Sequence, residues 1–421
     1  MKLLAGVVLV LFALGAANAD SYLKGSKIYD IYPSSESQFA AVNSLELTSY
    51  GVDILQHPSK VGRLGKVLVH ANYQDSFETD MKSAGVPFIV AVEDLEPVIE
   101  NERRSNDLAK MTAAKAGRNI DFTAYYRHAE INAYLDELAV KYPNVVTIVT
   151  RKSYEGRDLK AILISTTGGA DKSKPVIISD AGIHAREWIA PAVALYIINK
   201  LVEDVTESDL VDKIDWVIIP VANPDGYEYT HTTSRFWRKT RTPTSSILCT
   251  GVDGNRNFDF FWNGPGSSSI PCSDTYAGPT AFSEVETQFL RDLIEEYKGR
   301  TQAVISIHSY GNYFIYPYGY NAQPTANDAE LASVGRKVAN AIEGAALPGS
   351  PKYTVGNSGA VLYVTSGATN DYAYEIGKAR LAYTLELPGQ GFDLPPSNID
   401  QIVKETWQGF IALGRHIIDT Q

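Results

Sequence analysis

Two short segments carry residue types that bind divalent metals, and each follows or ends an apolar run that predicts a strand. His184 and Glu187 follow the run at 175–181, and His308 ends the run at 304–308. Neutral imidazoles and a carboxylate are zinc ligands, and a three-residue offset at a strand-to-helix turn lets both side chains point at one ion. Alone, the His-x-x-Glu pair also fits a surface histidine beside a first-turn glutamate. The second histidine favours a zinc site with an open fourth position.

A third apolar run contains a carboxylate of its own. Glu386 lies within the predicted strand 381–387, among apolar neighbours. A charge in such surroundings is costly unless it is paired, bound to a metal or used in a reaction. We therefore take Glu386 as a candidate functional residue, with a buried salt bridge as the alternative. The C-terminal ends of strands, where these residues fall, are the usual position of sites in open α/β sheets.

The elements that must position these residues alternate between strands and helices after residue 119. Strands are predicted at 160–166, 175–181, 214–222, 304–308 and 381–387, and helices at 126–141, 188–201, 282–298, 329–342 and 399–418. This alternation predicts an α/β fold with a central mixed, mostly parallel sheet that is flanked by helices.

The N-terminal part predicts a separate, smaller unit. Between residues 21 and 100, strands are predicted at 27–33, 52–56, 66–70 and 88–92, and helices at 37–50 and 74–84. This β-α-β-β-α-β order is that of a ferredoxin-like α+β sandwich. The segment that follows, 95–118, is polar and is punctuated by basic residues: Arg103, Arg104, Lys110, Lys115 and Arg118. We predict a connector that an activating trypsin-like protease can cut; a plain interdomain linker is the compatible alternative.

The first residues predict export. Lys2 precedes an apolar run, and Ala17-Asn18-Ala19 has the small-x-small pattern of a cleavage site, so residues 1–19 read as a signal peptide of a secreted, extracellular protein. The alternative, an uncleaved anchor helix, is disfavoured because the run is too short to span a bilayer. The net charge of -11 disfavours a nucleic-acid or polybasic membrane partner. Nothing in the sequence demands more than a monomer.

The chain has two cysteines, Cys249 and Cys272. In an oxidising compartment an even number favours a disulfide. The alternative is a pair of zinc thiolates, and it fits poorly because the spacing matches no structural zinc pattern.

In order and spacing, the motifs of this chain resemble the digestive-type zinc metallocarboxypeptidases, whose best-known members are pancreatic carboxypeptidases A and B. The motifs are HAREW (184–188), NPDGY (223–227), RFWRKTR (235–241), GVDGNRNFD (251–259), SIHSYG (306–311), YPYGY (316–320) and TLELPG (384–389). Two histidines and a glutamate are the zinc ligands known in carboxypeptidase A. The resemblance covers the chain after the signal peptide and implies a carboxypeptidase-like fold, one Zn²⁺ per chain, and a disulfide between the two cysteines.

The resemblance also implies a precursor that becomes an exopeptidase after cleavage. Residues 20–100 would be the activation propeptide domain, 101–118 the cleavable connector and 119–421 the catalytic domain. The substrates would be peptides or proteins with a free C-terminus.

Each matching residue receives a role from this resemblance. His184, Glu187 and His308 would bind zinc, with Asp253 orienting the ring of His184. Glu386 would be the general base, and Arg238 would stabilise the oxyanion. The residues expected to hold the substrate are Asn255, Arg256, Tyr363, Arg186 and Arg235.

The residues expected to set substrate specificity are where this sequence differs from the family that it resembles. Asn370 matches the floor of the specificity pocket, which is aliphatic in A-type members and aspartate in B-type members. Asparagine offers hydrogen bonds but no charge, so we expect neutral or apolar C-terminal residues to be preferred. Basic or other polar C-terminal residues are the alternative, because the adjacent Asp371 could turn toward the pocket.

Two other classes of protein are the alternatives to a zinc exopeptidase. A zinc protein that only captures peptide C-termini would need neither Glu386 nor Arg238. A serine hydrolase or a thermolysin-type endopeptidase is disfavoured, because the chain contains neither a G-x-S-x-G nor an H-E-x-x-H motif.

Overall fold

The computed structural model describes residues 23–45, 51–115 and 120–421. The chain divides into two compact units, one of residues up to Asn101 together with Glu228–Trp237, the other of Glu102–Tyr227 together with Arg238–Gln421. The predicted signal peptide and the end of the helix predicted at 37–50 lie outside the described residues.

The first unit is built on a four-stranded antiparallel sheet. Its strands are β1 (Lys27–Ile31), β2 (Val52–Gln56), β3 (Gly65–Val69) and β4 (Phe88–Val92), in the spatial order β2-β3-β1-β4. Two helices, α1 (Glu36–Asn43) and α2 (Gln74–Ser83), connect them. Tyr29 contacts the rings of Phe77 and Phe88 in the core of this unit. The element order and the sheet confirm the ferredoxin-like prediction.

The second unit is built on an eight-stranded mixed sheet. The strands are β5 (Val146–Lys152), β6 (Asp158–Ile164), β7 (Val176–Ala181), β8 (Asp215–Ile219), β9 (Thr301–Ser309), β10 (Tyr313–Tyr316), β11 (Thr354–Asn357) and β12 (Leu381–Leu387). Their spatial order is β11-β10-β12-β9-β7-β8-β6-β5. The four central strands β12, β9, β7 and β8 are parallel, whereas β6 and β10 pair with them in antiparallel fashion. The prediction of a mixed sheet with a parallel centre is confirmed.

Helices cover both faces of this sheet. The helices that follow β4 along the chain are α3 (Glu96–Lys115), which begins in the first unit, α4 (His128–Lys141), α5 (Ile189–Val202), α6 (Ser208–Lys213), α7 (Pro224–Thr232), α8 (Val285–Glu296), α9 (Asp328–Ala345), α10 (Ser358–Val361), α11 (Thr369–Glu375) and α12 (Ile399–Asp419). Because side chains alternate along a strand, Ile177 and Ile305 pack into one hydrophobic cluster while Ile178 and Val304 pack into another. Every residue of β7 is buried, which explains the apolar run Val176-Ile177-Ile178 with which the strand begins.

Two sequence interpretations differ from the structure. The segment predicted as a polar connector is largely the helix α3, in which Ile99 and Ala113 are buried. The many charges of this segment hid its sparse apolar positions. The residues Asn223-Pro224-Asp225-Gly226 of the NPDGY motif are a turn signal in the sequence, but in the structure they begin the helix α7, with Pro224 at its first position, where a missing N–H costs nothing.

Cys249 and Cys272 form a disulfide, with their Cα atoms 5.0 Å apart. This confirms the bridge and removes the thiolate alternative. In the described part of the chain, no helix combines the length and the apolar character needed to cross a bilayer.

A buried carboxyl group in α8 makes the stability of the second unit sensitive to pH. Glu286 is 3% exposed, and neither of its carboxylate oxygens has a hydrogen-bond partner among the described residues. Burial raises the pKa of Glu286 from 4.5 to about 8, and the nearby carboxylates of Glu284 and Asp225 add to this. Between these two values the group is protonated when folded and ionised when unfolded, so stability falls as pH rises.

We expect Glu286→Gln to remove this loss. The free energy of unfolding of the variant should match the parent near pH 4.5 and exceed it increasingly up to pH 8, by at most about 1.4 kcal/mol per pH unit. Denaturant unfolding across this pH range measures the difference. Glu296→Gln, at an exposed position of the same helix, is the control. Parallel pH curves for Glu286→Gln and the parent would contradict the expectation.

Candidate active site

The C-terminal ends of three adjacent parallel strands bring the predicted residues together. His184 and Glu187 lie in the turn after β7, and His308 is the penultimate residue of β9. Glu386 pairs in register with His308 from the neighbouring strand β12. Gly182 permits the turn after β7, because its φ is +68° and an added Cβ would lie 3.1 Å from Pro191 Cγ.

Three potential ligand side chains face one another at the ends of β7 and β9. Glu187 Oε1 is 2.8 Å from His184 Nδ1, and Glu187 Oε2 is 3.0 Å from His308 Nδ1. The two Nδ1 atoms are 3.1 Å apart. All three side chains are buried, and no other set of three or more His, Cys, Asp or Glu side chains in the described ranges brings its ligand atoms within 4.8 Å of one another. Two imidazole nitrogens and one carboxylate fit a zinc ion with an open fourth position.

The second ring nitrogen of each imidazole, Nε2, also lies within hydrogen-bond distance of a neighbouring side chain. His184 Nε2 is 3.0 Å from Asp253 Oδ1, which agrees with the orienting contact that the sequence resemblance implied. His308 Nε2 is 3.1 Å from the hydroxyl of Ser306, which in turn donates to Asp180. The sequence analysis missed Ser306 and Asp180; an available signal was a polar pair, Ser179-Asp180, inside an otherwise apolar strand.

Asp253 organises the positive charge of the site. It is fully buried and accepts hydrogen bonds from Arg238 Nη2 at 2.8 Å and from the backbone N–H of Asn255 at 2.9 Å. Burial alone would raise its pKa, but Arg238, His184 and Arg256 hold the pKa of Asp253 well below its usual range. The carboxylate therefore remains ionised and fixes both the ring of His184 and the guanidinium of Arg238.

The charges around Glu187 bias the ligand atoms toward cation binding. Although burial opposes ionisation, the imidazoles of His184 and His308 lower the pKa of Glu187. Burial would lower the pKa of His308, but the Glu187 carboxylate raises it to about 9. Burial and the charge of Arg238 lower the pKa of His184. The Glu187 carboxylate thus attracts positive charge to this position, either a proton on His308 or a divalent cation in its place.

Glu386 lies beside these ligand atoms and is itself half-buried. Burial raises its pKa, and the Glu187 carboxylate adds to the shift, while His308 and Arg238 oppose it. A carboxyl group whose pKa is moved toward neutrality can both accept and donate a proton under working conditions.

The residues expected to bind a terminal carboxylate surround a buried guanidinium. Arg256 Nε donates to the carbonyl of Gly266 and Nη1 to that of Asn255, both at 2.8 Å. These bonds fix the plane of Arg256 and leave Nη2 for a ligand. Asn255 Oδ1 accepts from the backbone N–H of Thr369 at 2.9 Å. Burial raises the pKa of the half-buried Tyr363, and the positive charges of Arg256 and Arg238 oppose this shift.

The two residues at the proposed pocket floor point in different directions. Asn370 is buried, and its Nδ2 lies 3.5 Å from Ser358 Oγ. The Asp371 carboxylate accepts hydrogen bonds from the backbone N–H groups of Gly319 and Tyr320, at 2.8 to 3.0 Å. Burial raises the pKa of Asp371 to about 6. Asp371 thus holds the 319–320 turn.

The sequence prediction also includes two arginines expected to line the substrate approach. Arg186 is buried, donates to Asp274 at 3.2 Å and lies 4.5 Å from the centre of the Phe392 ring. Arg235 is fully buried within Glu228–Trp237, which groups with the first unit. The role of each arginine in lining the substrate approach stays a prediction.

Comparison with known proteins agrees with this geometry. Residues 131–409 match the zinc carboxypeptidase family, and residues 29–102 match the carboxypeptidase activation peptide. Carboxypeptidase B of Helicoverpa zea is 43% identical over 98% of each chain, and carboxypeptidase A2 of Rattus norvegicus is 35% identical over 96% of this chain and 97% of its own. The crystal structure of carboxypeptidase A from Helicoverpa armigera superposes with a TM-score of 0.88 at 40% identity, covering 93% of this chain and 97% of that one.

Fold, site and comparisons together define a metal-dependent peptidase with an N-terminal activation unit. The chain belongs to the zinc carboxypeptidase family: it is a metallocarboxypeptidase, made as a zymogen with a carboxypeptidase activation peptide.

Proposed function

We propose that this protein is a secreted zymogen which, once cut, removes single C-terminal residues, preferably neutral ones, from peptides and proteins. The observation that carries the proposal is the convergence of His184, Glu187 and His308, with Glu386 in register beside His308. Secretion is supported by the signal-peptide pattern of residues 1–19.

Each of the site residues has a separate role in the proposed reaction. His184, Glu187 and His308 would hold one zinc ion, which when bound polarises the scissile carbonyl and lowers the pKa of water. Glu386 takes a proton from the attacking water and delivers it to the leaving amine. Arg238, held in place by Asp253, supplies positive charge where the oxyanion develops.

Recognition of a chain end explains why the activity would be an exopeptidase. The free edge of the Arg256 guanidinium is suited to a carboxylate, and its other nitrogens are already bonded to backbone carbonyls. Tyr363, whose phenol feels the charge of Arg256, would donate to the same end. An internal peptide bond offers no carboxylate for this contact.

Replacement of the general base tests the proposed chemistry. In the activated enzyme, Glu386→Gln should lower kcat by roughly 10² to 10⁴-fold with KM within a few-fold, since only proton transfer is lost. The assay follows release of the last residue from a peptide with a free C-terminus, while zinc content should stay near one per chain.

Glu405→Gln, at a buried glutamate of α12, is the matched control and should keep full activity. An amidated peptide should resist cleavage by the parent, and a chelator should stop the reaction. A Glu386→Gln variant as fast as the parent would refute the general-base role. Peptide binding by the activated parent without hydrolysis would instead support the non-catalytic binder.

The preference for neutral residues is proposed from the pocket floor. Asn370 carries no charge, and the Asp371 carboxylate is already engaged by two backbone N–H groups. Neither residue offers a free carboxylate to a C-terminal lysine or arginine. The relatives include carboxypeptidases of both the A and the B type by name, so their names do not decide the preference.

A single substitution at the floor should redirect specificity. Asn370→Asp should raise kcat/KM for C-terminal lysine and arginine by roughly tenfold or more, as expected for a new charge-assisted hydrogen bond, and lower it for leucine and phenylalanine. Asn370→Leu is the uncharged control and should favour apolar ends. A peptide panel measures both. Cleavage by the parent confined to C-terminal lysine and arginine would overturn the proposed preference.

Activation by a trypsin-like protease is supported by the matched activation peptide and by the basic residues of α3. The second unit holds the later part of this helix. Asn106 exchanges two hydrogen bonds with the backbone of Tyr125, at 2.7 and 2.9 Å, and Lys110 pairs with Glu130 at 2.5 Å. A protease needs locally unfolded chain, so cleavage inside this bonded part should be slow. Lys115 is exposed at the end of α3, and Arg118 lies outside the described residues.

The first activating cut should therefore fall after Lys115 or Arg118 rather than after Arg103 or Arg104. Limited trypsin digestion of the full-length chain, with N-terminal sequencing and activity measured together, checks this order. Asn106→Ala should speed cleavage within the helix, whereas Thr112→Ala, at an exposed position of the same helix, should not. High activity in the uncut chain would contradict the proposed zymogen.

A further inference from the structure

The outer face of His308 is supported by two residues to which neither the family resemblance nor the comparisons give a role. Ser306 Oγ lies 3.1 Å from His308 Nε2 and 2.9 Å from Asp180 Oδ2. Asp180 and Ser306 are both 0% exposed, and His308 is 1% exposed. The three side chains form one continuous buried row that ends at the ligand nitrogen of His308.

The sheet itself builds this row. Asp180 on β7 is the register partner of Ser306 on the parallel strand β9. His308 lies two residues after Ser306, so their side chains emerge from the same face of the sheet. No turn or loop takes part, and the position of the row is therefore as rigid as the centre of the sheet.

The donors and acceptors available along the row fix the direction of its hydrogen bonds. An ionised carboxylate only accepts hydrogen bonds, so the hydroxyl hydrogen of Ser306 points to Asp180. The hydroxyl oxygen then presents a lone pair to His308, which must carry its hydrogen on Nε2. Nδ1 is then the nitrogen that remains for a metal ion, and it is the atom that faces Glu187 and the other imidazole.

Asp180 has no evident structural reason to be charged and buried. Its second oxygen, Oδ1, has no hydrogen-bond partner among the described residues. A fully buried and half-satisfied carboxylate is costly, and such groups call for an explanation beyond packing. Polarisation of the Ser306 hydroxyl toward His308 provides one.

We propose that Asp180 and Ser306 are positioning residues that fix the tautomer and orientation of His308 and thereby set the zinc affinity of the site. The inference rests on the proposed function only in taking His308 as a zinc ligand. His184 is supported by a direct carboxylate, Asp253, whereas His308 is supported by a carboxylate acting through a hydroxyl. Supporting contacts of this kind typically change metal affinity by 10- to 100-fold.

Zinc affinity of the full-length chain provides the main test. After metal removal and reloading, competition with a chelator should show that Ser306→Ala binds zinc roughly 10- to 100-fold more weakly than the parent. The matched control is Ser179→Ala, since Ser179 is buried next to Asp180 but donates to the carbonyl of Ile305 at 2.9 Å, not to a ligand. Its affinity should stay within threefold of the parent.

A second variant guards against misfolding, because Ser306→Ala leaves the Asp180 charge without its partner. The double variant Asp180→Asn, Ser306→Ala removes the hydroxyl and the charge together and should show the same weakened zinc binding. Zinc affinity of the double variant within threefold of the parent would overturn the proposal. A loss in Ser179→Ala as large as in Ser306→Ala would overturn it too, since the effect would then belong to the sheet in general.

The tautomer itself can be observed in the zinc-loaded chain. Nitrogen NMR of ¹⁵N-labelled histidine should show a protonated Nε2 on His308 in the parent, and a changed Nε2–H signal in Ser306→Ala but not in Ser179→Ala. An unprotonated Nε2 in the parent would refute the proposed direction of the row. Failure of the parent to bind zinc at all would instead refute the proposed function, so the two failures are distinguishable.

Discussion

One buried carboxylate holds the two halves of the site together. Asp253 contacts the ring of His184 on the metal side, and it binds Arg238 and the backbone of Asn255 on the substrate side. An ionised group without exposure is tolerable only because several donors surround it. Removing any donor would leave the charge undersatisfied. The proposed metal ligands and the charges proposed to bind substrate are therefore coupled through a single group.

The sheet supplies the second constraint, which is geometric. Parallel pairing of β7, β9 and β12 places His184, His308 and Glu386 at one edge because each follows or ends its own strand. Alternation of side chains then places Ser306 beneath His308, on the same face. The register of the central strands thus positions the candidate site residues. The loops contribute mainly the residues proposed to contact substrate.

The sequence predicted the features that leave a periodic or chemical pattern. The central strands and long helices follow from apolar periodicity, and Glu386 was recognisable as a charge within an apolar strand. Three features left little pattern. The edge strands β5 and β11 are only partly buried and lack clear alternation, while α3 carries too many charges to read as packed. The polar pair Ser179-Asp180 marks Asp180 as unusual within its strand. The proposed role of Asp180 depends on cross-strand register with Ser306, which no local pattern of residues reveals.

The disulfide divides the site along the chain. Asp253, Asn255 and Arg256 all fall inside the loop that Cys249 and Cys272 close, whereas His184, Glu187 and His308 fall outside it. Closing that loop restricts the conformations open to the enclosed residues. A reducing environment would thus act first on the residues of this loop that are proposed to grip the chain end. Because Asp253 lies in the same loop and contacts the ring of His184, loosening the loop would also reach one of the proposed zinc ligands.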